Sequence, residues 1–377
     1  MKNKRLVFMN SGMHFWNREK EIFAELNSEY EILLIINHEE NENYSTEDII
    51  NFCAFNKISL SILNNTSTRA RNPLNIIRAV KTIKEIIKFK PDLIYLENFS
   101  DPYFAIVCSL FLNKHKVIIS ILDYELHPYE KNKFRFSDKF YQIIYLAFFN
   151  NFQLFSSQQA GLMQKDHPNK NIFYIPLFLI KNDFEVPNKN YRGRNELINF
   201  LFFGKIFYYK GLDILIKAGN VLALRYTNFK IIIAGHCDDF TKYERLIKNK
   251  EVYELKISYL SKDEIQELMM KADILVLPYR QVTQSGPLSM AFNFGIISLA
   301  SDLDGFQELI KKGHNGFLFK NNSVDDLVKV MEEIILMSYS DRDVIRKNLN
   351  KFVSENYDLS KFVDKYKAMF NSVIGIK

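Results

Sequence analysis

Along this chain, short uninterrupted apolar runs alternate with longer stretches in which apolar residues recur every three or four positions. The short runs read as strands buried on both faces and the longer stretches as amphipathic helices. Their alternation is the signature of βα units built around a parallel sheet. In the first half, 5–9, 32–36, 93–96, 117–121 and 153–155 read as strands, with helical sequence at 18–27 and 74–89. The pattern stops near 176–191, where two prolines, three asparagines and mixed charges predict a linker. It restarts with strands at 198–203, 230–234, 274–277 and 296–300, and helices at 213–223, 265–270, 288–294 and 324–337. The stretch 341–376 reads as wholly helical. The expected organisation is a first domain at 1–182, a linker at 183–194, a second domain at 195–355, and a terminal helix at 356–377 able to cross back to the first domain. Two successive doubly wound, Rossmann-like α/β domains are expected to face each other across a cleft at the strand C-termini, where such sheets bind ligands.

Composition narrows the ligand. The chain has 377 residues, enough for two cores, with 47% hydrophobic and 25% charged residues. A formal charge of +6 suits an anionic small molecule or an anionic membrane surface and falls short of a dedicated nucleic-acid binder. Three widely spaced cysteines, Cys53, Cys108 and Cys237, give neither a disulfide framework nor a zinc spacing. The N-terminal apolar run is too short for a signal peptide. The richest apolar stretch, 140–155, is broken by Gln142, Asn150, Asn151 and Gln153, so no membrane span is expected. The expectation is a cytoplasmic protein, soluble or peripheral at a membrane.

Three segments of the second half carry candidate chemistry. The first runs from Phe202 to Asp213: an apolar strand ends at Gly204, and Lys205 and Lys210 bracket a loop closed by Gly211. The glycines permit close backbone approach and the lysines supply point charges for phosphate; a plain βα loop with solvated lysines has the same spacing. In the second, Leu277 to Met290, Ser285 or Gly286 can cap a helix and Pro287 fits its first position. The amides and positive dipole end of such a helix form an anion site, although an ordinary capped helix looks identical in sequence. In the third, Asp302 and Asp304 form a D-x-D better read as a turn with a helix cap at Asp304. Glu308 lies one helical turn on, placed either to accept ligand hydroxyls or to face solvent.

Taken in order, these segments resemble the retaining GT-B glycosyltransferases, in particular family 4, the group 1 glycosyl transferases. The resemblance spans roughly 199–337. It comprises G-K-x4-K-G-x-D at Gly204 to Asp213, Ala234-Gly235, an A-D-x-x-V-x-P strand at Ala272 to Pro278, a glycine-containing helix start, G-x-x-E at Gly305 to Glu308, and G-x-N-G at Gly313 to Gly316. It implies a GT-B fold and contacts to a donor diphosphate from Gly204, Lys205, Lys210, Ser285 and Gly286. Many members carry two glutamates separated by seven residues, on the donor sugar and the ribose. Here those positions hold Val282 and Met290 within a T-Q-S-G variant at Thr283 to Gly286. Gln284 and Glu308 are the candidates for the donor sugar and nucleotide contacts.

In the first half, Asn10-Ser-Gly-Met-His14 follows the first strand, making Gly12 and His14 candidates for the acceptor side. The strand 117–121 resembles one that often ends in His-Asp near the acceptor. Leu122 replaces that histidine, Asp123 remains and His127 lies four residues further on, so Asp123 and His127 are the catalytic candidates. A lone histidine is as readily structural. The segment 74–89 is a basic amphipathic helix whose Leu74, Ile77, Val80, Ile83 and Ile87 are expected to pack on the sheet. Arg78, Lys81, Lys84 and Lys88 would then point toward solvent or an anionic membrane.

The resulting expectation is a retaining transferase that moves a hexose-type sugar from a nucleoside diphosphate donor to a glycan or lipid-linked acceptor, with no metal, no other cofactor and no nucleic-acid partner. The competing readings are a GT-B sugar-nucleotide epimerase and a non-catalytic sugar-nucleotide-binding subunit. A dinucleotide-binding dehydrogenase is disfavoured because no G-x-G-x-x-G follows a strand.

Overall fold

The computed structural model describes residues 4–10, 16–38, 46–64, 74–97, 101–125, 137–177, 197–283 and 285–375. The chain divides into two compact units, Met1–Phe178 with Leu359–Lys377, and Leu179–Asp358. The expected linker, 183–194, lies outside the described residues.

In the first unit the order is β1 (Lys4–Asn10), α1 (Trp16–Leu26), β2 (Tyr30–His38), α2 (Thr46–Phe55), β3 (Ser59–Asn64), α3 (Leu74–Phe89) and β4 (Leu93–Glu97). There follow α4 (Pro102–Phe111), β5 (Val117–Ile121), α5 (Ser137–Phe148), β6 (Asn151–Leu154), α6 (Ser157–Asp166) and β7 (Asn171–Tyr174). All pairings are parallel, in the order β3-β2-β1-β4-β5-β6-β7, so the topology reverses between β1 and β4. Val7, Met9, Ile94, Leu96, Val117 and Ile119 share one core with Ala79, Ile83 and Ile86 of α3, Phe104 and Cys108 of α4, and Tyr145 of α5. The alternate residues Phe8 and Tyr95 meet Phe23 of α1 and the terminal helix. On that second side a polar row crosses the sheet in register: Asn10 beside Glu97, Glu97 beside Ser120, and Ser120 beside Gln153. Asn10 Nδ2 donates to both Glu19 and Glu97, each at 3.0 Å, so these buried carboxylates are held at the point where the strand order reverses.

The second unit contains β8 (Ile198–Phe203), α7 (Leu212–Leu222), β9 (Phe229–Ala234), α8 (Thr241–Glu244), β10 (Tyr253–Lys256), α9 (Lys262–Lys271) and β11 (Ile274–Leu277). It continues with α10 (Gly286–Asn293), β12 (Ile297–Ser301), α11 (Asp304–Gln307), β13 (Phe317–Phe319), α12 (Val324–Leu336) and α13 (Tyr339–Asn356). Its parallel sheet runs β10-β9-β8-β11-β12-β13 and reverses between β8 and β11.

The terminal helical stretch differs from the sequence expectation. It is two helices, α13 and α14 (Leu359–Ile374), separated at Tyr357 and Asp358. Tyr357 leaves the helical conformation and packs its ring against Phe292 and Phe352 of the second unit. Beyond the break, α14 belongs to the first unit. Phe370 is fully buried against Tyr30 and Tyr95, Lys367 pairs with Glu29 at 2.7 Å, and Lys4 Nζ donates to Asn371 at 2.9 Å. Burying Phe370 stabilises this attachment by up to about 3 kcal/mol, well above the exposed ion pair.

A second difference concerns α3. Its sheet-facing side is Asn75, Ala79, Thr82, Ile83 and Ile86, whereas Leu74, Ile77 and Ile87 are exposed. Close packing against α4 favours the smaller residues; of the expected apolar stripe Ile83 reaches the core and Val80 packs beside it, while Leu74, Ile77 and Ile87 turn outward. Arg78 is half-buried and lines a cavity, so it does not share the solvent side expected for it.

Candidate functional site

The densest convergence of sequence-predicted residues lies where β8 and β11 diverge, at the reversal of strand order in the second sheet. In open α/β sheets this position, outside the strand C-termini, is where ligands bind. After Phe203 the chain turns at Gly204, whose φ of +104° favours glycine. A Cβ there would stand 3.1 Å from Lys210 Nζ and 3.5 Å from Pro287 Cγ. The Gly204 backbone, the Lys210 ammonium and the first turn of α10 therefore share one small volume.

The loop that brings Lys210 there is a single 3-10 turn, Tyr208–Lys210, ended by Gly211 at φ +68°. A Cβ on Gly211 would lie 1.8 Å from the Pro278 carbonyl oxygen, so only glycine lets the loop cross the exit of β11 this closely. Arg280 fixes the crossing. Its amide donates to the Tyr209 carbonyl at 2.7 Å and its guanidinium donates to the Tyr208 carbonyl at 2.9 Å and to Asp213 Oδ2 at 2.8 Å. The same guanidinium lies 4.3 Å from the centroid of the Tyr208 ring.

Lys210 is only 8% exposed, and among the described residues no carboxylate pairs with it. Its Nζ lies 5.6 Å from the centroid of the Tyr279 ring. Burial pushes its ammonium down to about 8 from the ordinary 10.5. Tyr279 is itself buried, and burial pushes that phenol up. Opposite the lysine, Ser285 caps α10 by accepting from the Leu288 amide at 3.3 Å, with Gly286 first in the helix and Pro287 next. The positive end of α10 and a buried, unpaired ammonium thus face the same space.

Lys205 is exposed, with Nζ 5.0 Å from the Phe207 ring centroid. It borders a cavity of about 150 Å³ at the mouths of β8, β9 and β10, also lined by Gly204, His236, Ser258 and Tyr259. The His236 and Tyr259 rings stack at 4.0 Å and 13°, and His236 Nε2 lies 2.9 Å from Asp238 Oδ1. The sequence reading missed this pair; a histidine directly after Ala234-Gly235 at the end of an apolar strand was the available signal. Neither did it assign Arg280 or Asp213, because only the fold brings those loops together.

The remaining candidates are more dispersed. Val282 and Thr283 lie against Gly305, where a Cβ would meet Val282 Cγ1 at 3.2 Å and the Thr283 carbonyl oxygen at 3.6 Å. This puts the loop before α10 against the start of α11. Asp304 is the first residue of that helix and Leu303 its cap, a shift of one position from the expected cap at Asp304. Asp302 Oδ1 accepts from the Asn321 amide at 2.7 Å, which makes it a turn residue. Glu308 is exposed at the end of α11, its amide bonded to the Asp304 carbonyl. Gln284, Gly12, His14 and His127 lie outside the described residues. In the first unit Asp123 follows β5, and its Oδ1 is buried with no hydrogen-bond partner among the described residues. A cavity of about 420 Å³ in that unit is lined by Ser61, Asn75, Arg78, Thr82, Glu85 and Asp101.

Two family models match the chain: "Glycosyl transferases group 1" over residues 187–365 and "Glycosyl transferase 4-like" over residues 6–159. Both are glycosyltransferase families, and together the two models cover most of the chain. An uncharacterised glycosyltransferase of Haemophilus influenzae is 25% identical over 186 residues, covering 48% of this chain and 51% of the relative. The chain spans about half the length of the curated relatives it matches. A solved glycosyltransferase of Rickettsia africae shares the fold with a TM-score of 0.68 at 15% identity, over 99% of each chain. Anabaena HepE, solved in complex with UDP and glucose, does so with a TM-score of 0.66 at 15% identity, over 98% of this chain and 100% of that one.

Proposed function

We propose that this glycosyltransferase moves a hexose-type sugar from a nucleoside diphosphate sugar to a glycan or lipid-linked acceptor of the bacterial surface-polysaccharide kind, with retention at the anomeric carbon. The observation that carries the donor half is Lys210. A buried ammonium without a counter-charge costs stability, and a ligand anion offsets that cost. Its position beside Gly204 and the start of α10 fits a diphosphate, which brings negative charge to both cationic features at once. The solved complex of Anabaena HepE with UDP and glucose supports the same class of donor.

In this reading Lys210 and the first-turn amides at Ser285 and Gly286 stabilise the charge that develops on the departing diphosphate, an effect worth several kcal/mol. Lys205 adds a second, more solvated positive charge. The leaving phosphate oxygen takes the acceptor's proton, so the site needs no separate base and no metal. Glu308 and Gln284 are the residues for donor sugar hydroxyls. The acceptor falls to the first unit, to Asp123 with His127, Gly12 and His14. The polar lining of the 420 Å³ cavity suits sugar hydroxyls. We propose a cytoplasmic location at a membrane surface, a reading supported by the unpaired cysteines and by an acceptor carried on lipid.

Calorimetry with UDP and with uridine on wild type and Lys210→Ala tests the donor half. A charge-assisted phosphate bond is worth roughly 1.5–3 kcal/mol, so the variant should lose about ten- to a hundredfold in UDP affinity while uridine binding is nearly unchanged. Equal losses for both ligands would remove Lys210 from the diphosphate site. Binding of a donor without turnover on any acceptor would favour the non-catalytic subunit.

A further inference from the structure

We infer that the first unit docks on an anionic lipid bilayer through the outward faces of α3, α4 and α5. Apolar side chains would enter the interface while lysines rest among the headgroups. The inference deepens the lipid-linked acceptor proposed above by naming the surface that meets the lipid. On α3, Leu74, Ile77, Lys81, Lys84 and Lys88 follow one another at intervals of three and four and so share one face. That face is opposite the buried side formed by Ala79, Thr82, Ile83 and Ile86. Ile77 is 66% exposed. The helix α4 packs between α3 and α5, and its outward pair Ile106 and Leu110 is exposed, Leu110 by 67%. On α5 the outward residues are Phe140 and Ile143, the latter 52% exposed.

Single exposed apolar residues are ordinary on a protein surface, but six on three adjacent helices are not. The α3 lysines lie on the same face as Leu74 and Ile77, and the carboxylate at the edge of that face, Glu85, is engaged by the Ser61 hydroxyl at 2.9 Å. A second copy of the chain is a poor occupant: a two-fold interface would set each lysine row against its own copy. A bilayer with anionic headgroups satisfies both features, giving the lysines negative charge and the isoleucines and leucines an acyl boundary. Among the described residues no helix is long and apolar enough to cross a membrane, so the contact is one of lying on the interface.

Vesicle flotation at low salt, with phosphatidylglycerol in phosphatidylcholine against phosphatidylcholine alone, tests the face. Wild type should float with the anionic vesicles and far less with the neutral ones. Lys81→Gln, Lys84→Gln and Lys88→Gln together should reduce partitioning on the order of a hundredfold. Ile77→Ser, Leu110→Ser and Ile143→Ser together, which leave the charge unchanged, should also release the protein. Because all six side chains are solvent-facing, melting temperature and UDP affinity should match wild type. Wild type that fails to float, a serine variant that floats as well as wild type, or a serine variant that instead dissolves a dimer would each overturn the inference. UDP binding measured on the same preparations keeps the donor site separate: retained binding with no flotation refutes the docking face alone.

Discussion

Arg280 and Asp213 form an ion pair at 2.8 Å that joins the two loops flanking the strand reversal of the second sheet. Asp213 opens α7, just past the turn that carries Lys210; Arg280 starts the segment that leads to Ser285 and α10. Both side chains are largely buried, at 10% and 18% exposure, so the pair is screened little by solvent. Together with the guanidinium bond to the Tyr208 carbonyl, it sets the position of Lys210 relative to the start of α10.

Arg280→Lys should therefore not behave as a conservative change. Lysine cannot reach Asp213 and the Tyr208 carbonyl in one fixed fork, nor stack a planar cation over the Tyr208 ring. Loss of one charge-assisted bond predicts about tenfold weaker UDP binding, with uridine binding little altered. Calorimetry on Arg280→Lys giving wild-type UDP affinity would show that the pair does not position the lysine.

Lys210 carries a stability consequence with a definite sign. Its folded value of about 8 lies below the 10.5 of an exposed lysine, so between those values the unfolded chain holds the extra proton. Stability of the ligand-free protein should rise with pH across that window, and below pH 8 the full penalty applies, roughly 3 kcal/mol. Lys210→Met, which removes the charge at similar volume, should raise the melting temperature at pH 7 while weakening UDP binding. UDP binding at a pH just above 8 should draw a proton onto wild type, visible as a dependence of calorimetric heat on buffer ionisation enthalpy. A melting temperature lowered by Lys210→Met would mean that the ammonium has a stabilising partner.

Two glycines of the site separate folding from binding. Gly211→Ala forces a Cβ onto the Pro278 carbonyl at a positive φ and should cost about 2 kcal/mol or more, read as a lower melting temperature. Gly286→Ala meets no atom within 4 Å and should fold as wild type. Any loss of UDP affinity in Gly286→Ala then reports on the space before α10 that the diphosphate is proposed to use. Unchanged affinity would place the phosphates elsewhere.

The strands buried on both faces were legible because an uninterrupted apolar run has few other uses. The runs at 198–203 and 274–277 match β8 and β11 in both bounds. The strands β3, β7, β10 and β13 were not seen, since edge strands such as Asn171–Tyr174 carry no fully buried run. The break at Tyr357 was hidden because neither Gly nor Pro marks it; ring packing on Phe292 and Phe352 decides it. The outward stripe of α3 misled for a related reason: periodicity identifies a helix face but does not say which neighbour fills it. At the candidate site, glycine and lysine spacing pointed to the loop, but burial of one lysine and exposure of the other are properties of the folded sheet. Arg280 was illegible because its partners come from a loop 67 positions away.

Asp123 gives the sharpest test of the acceptor side. The loop after β5 is pinned by the two residues that follow Asp123. Tyr124 donates its hydroxyl to Asp166 at 2.8 Å, Gln142 donates to the Tyr124 carbonyl at 3.2 Å, and the Glu125 amide donates to Gln159 Oε1 at 2.8 Å. Asp123 Oδ1 takes no part in this anchoring and is left buried without a partner among the described residues. A buried, unpartnered carboxylate oxygen costs stability and is explained if an acceptor hydroxyl supplies the missing hydrogen bond. Asp123→Asn keeps the shape of the side chain, so the loop should fold and the melting temperature should hold or rise. Transfer to the true acceptor should fall on the order of a hundredfold or more, because the hydroxyl is no longer held in line for attack. UDP affinity should stay at the wild-type value, since Asp123 belongs to the first unit and the diphosphate residues to the second. Transfer rate, melting temperature and UDP affinity taken on one preparation separate the cases. A variant that melts early with both activities damaged would make Asp123 a loop residue, and a stable variant with undiminished transfer would leave His127 to carry the acceptor side.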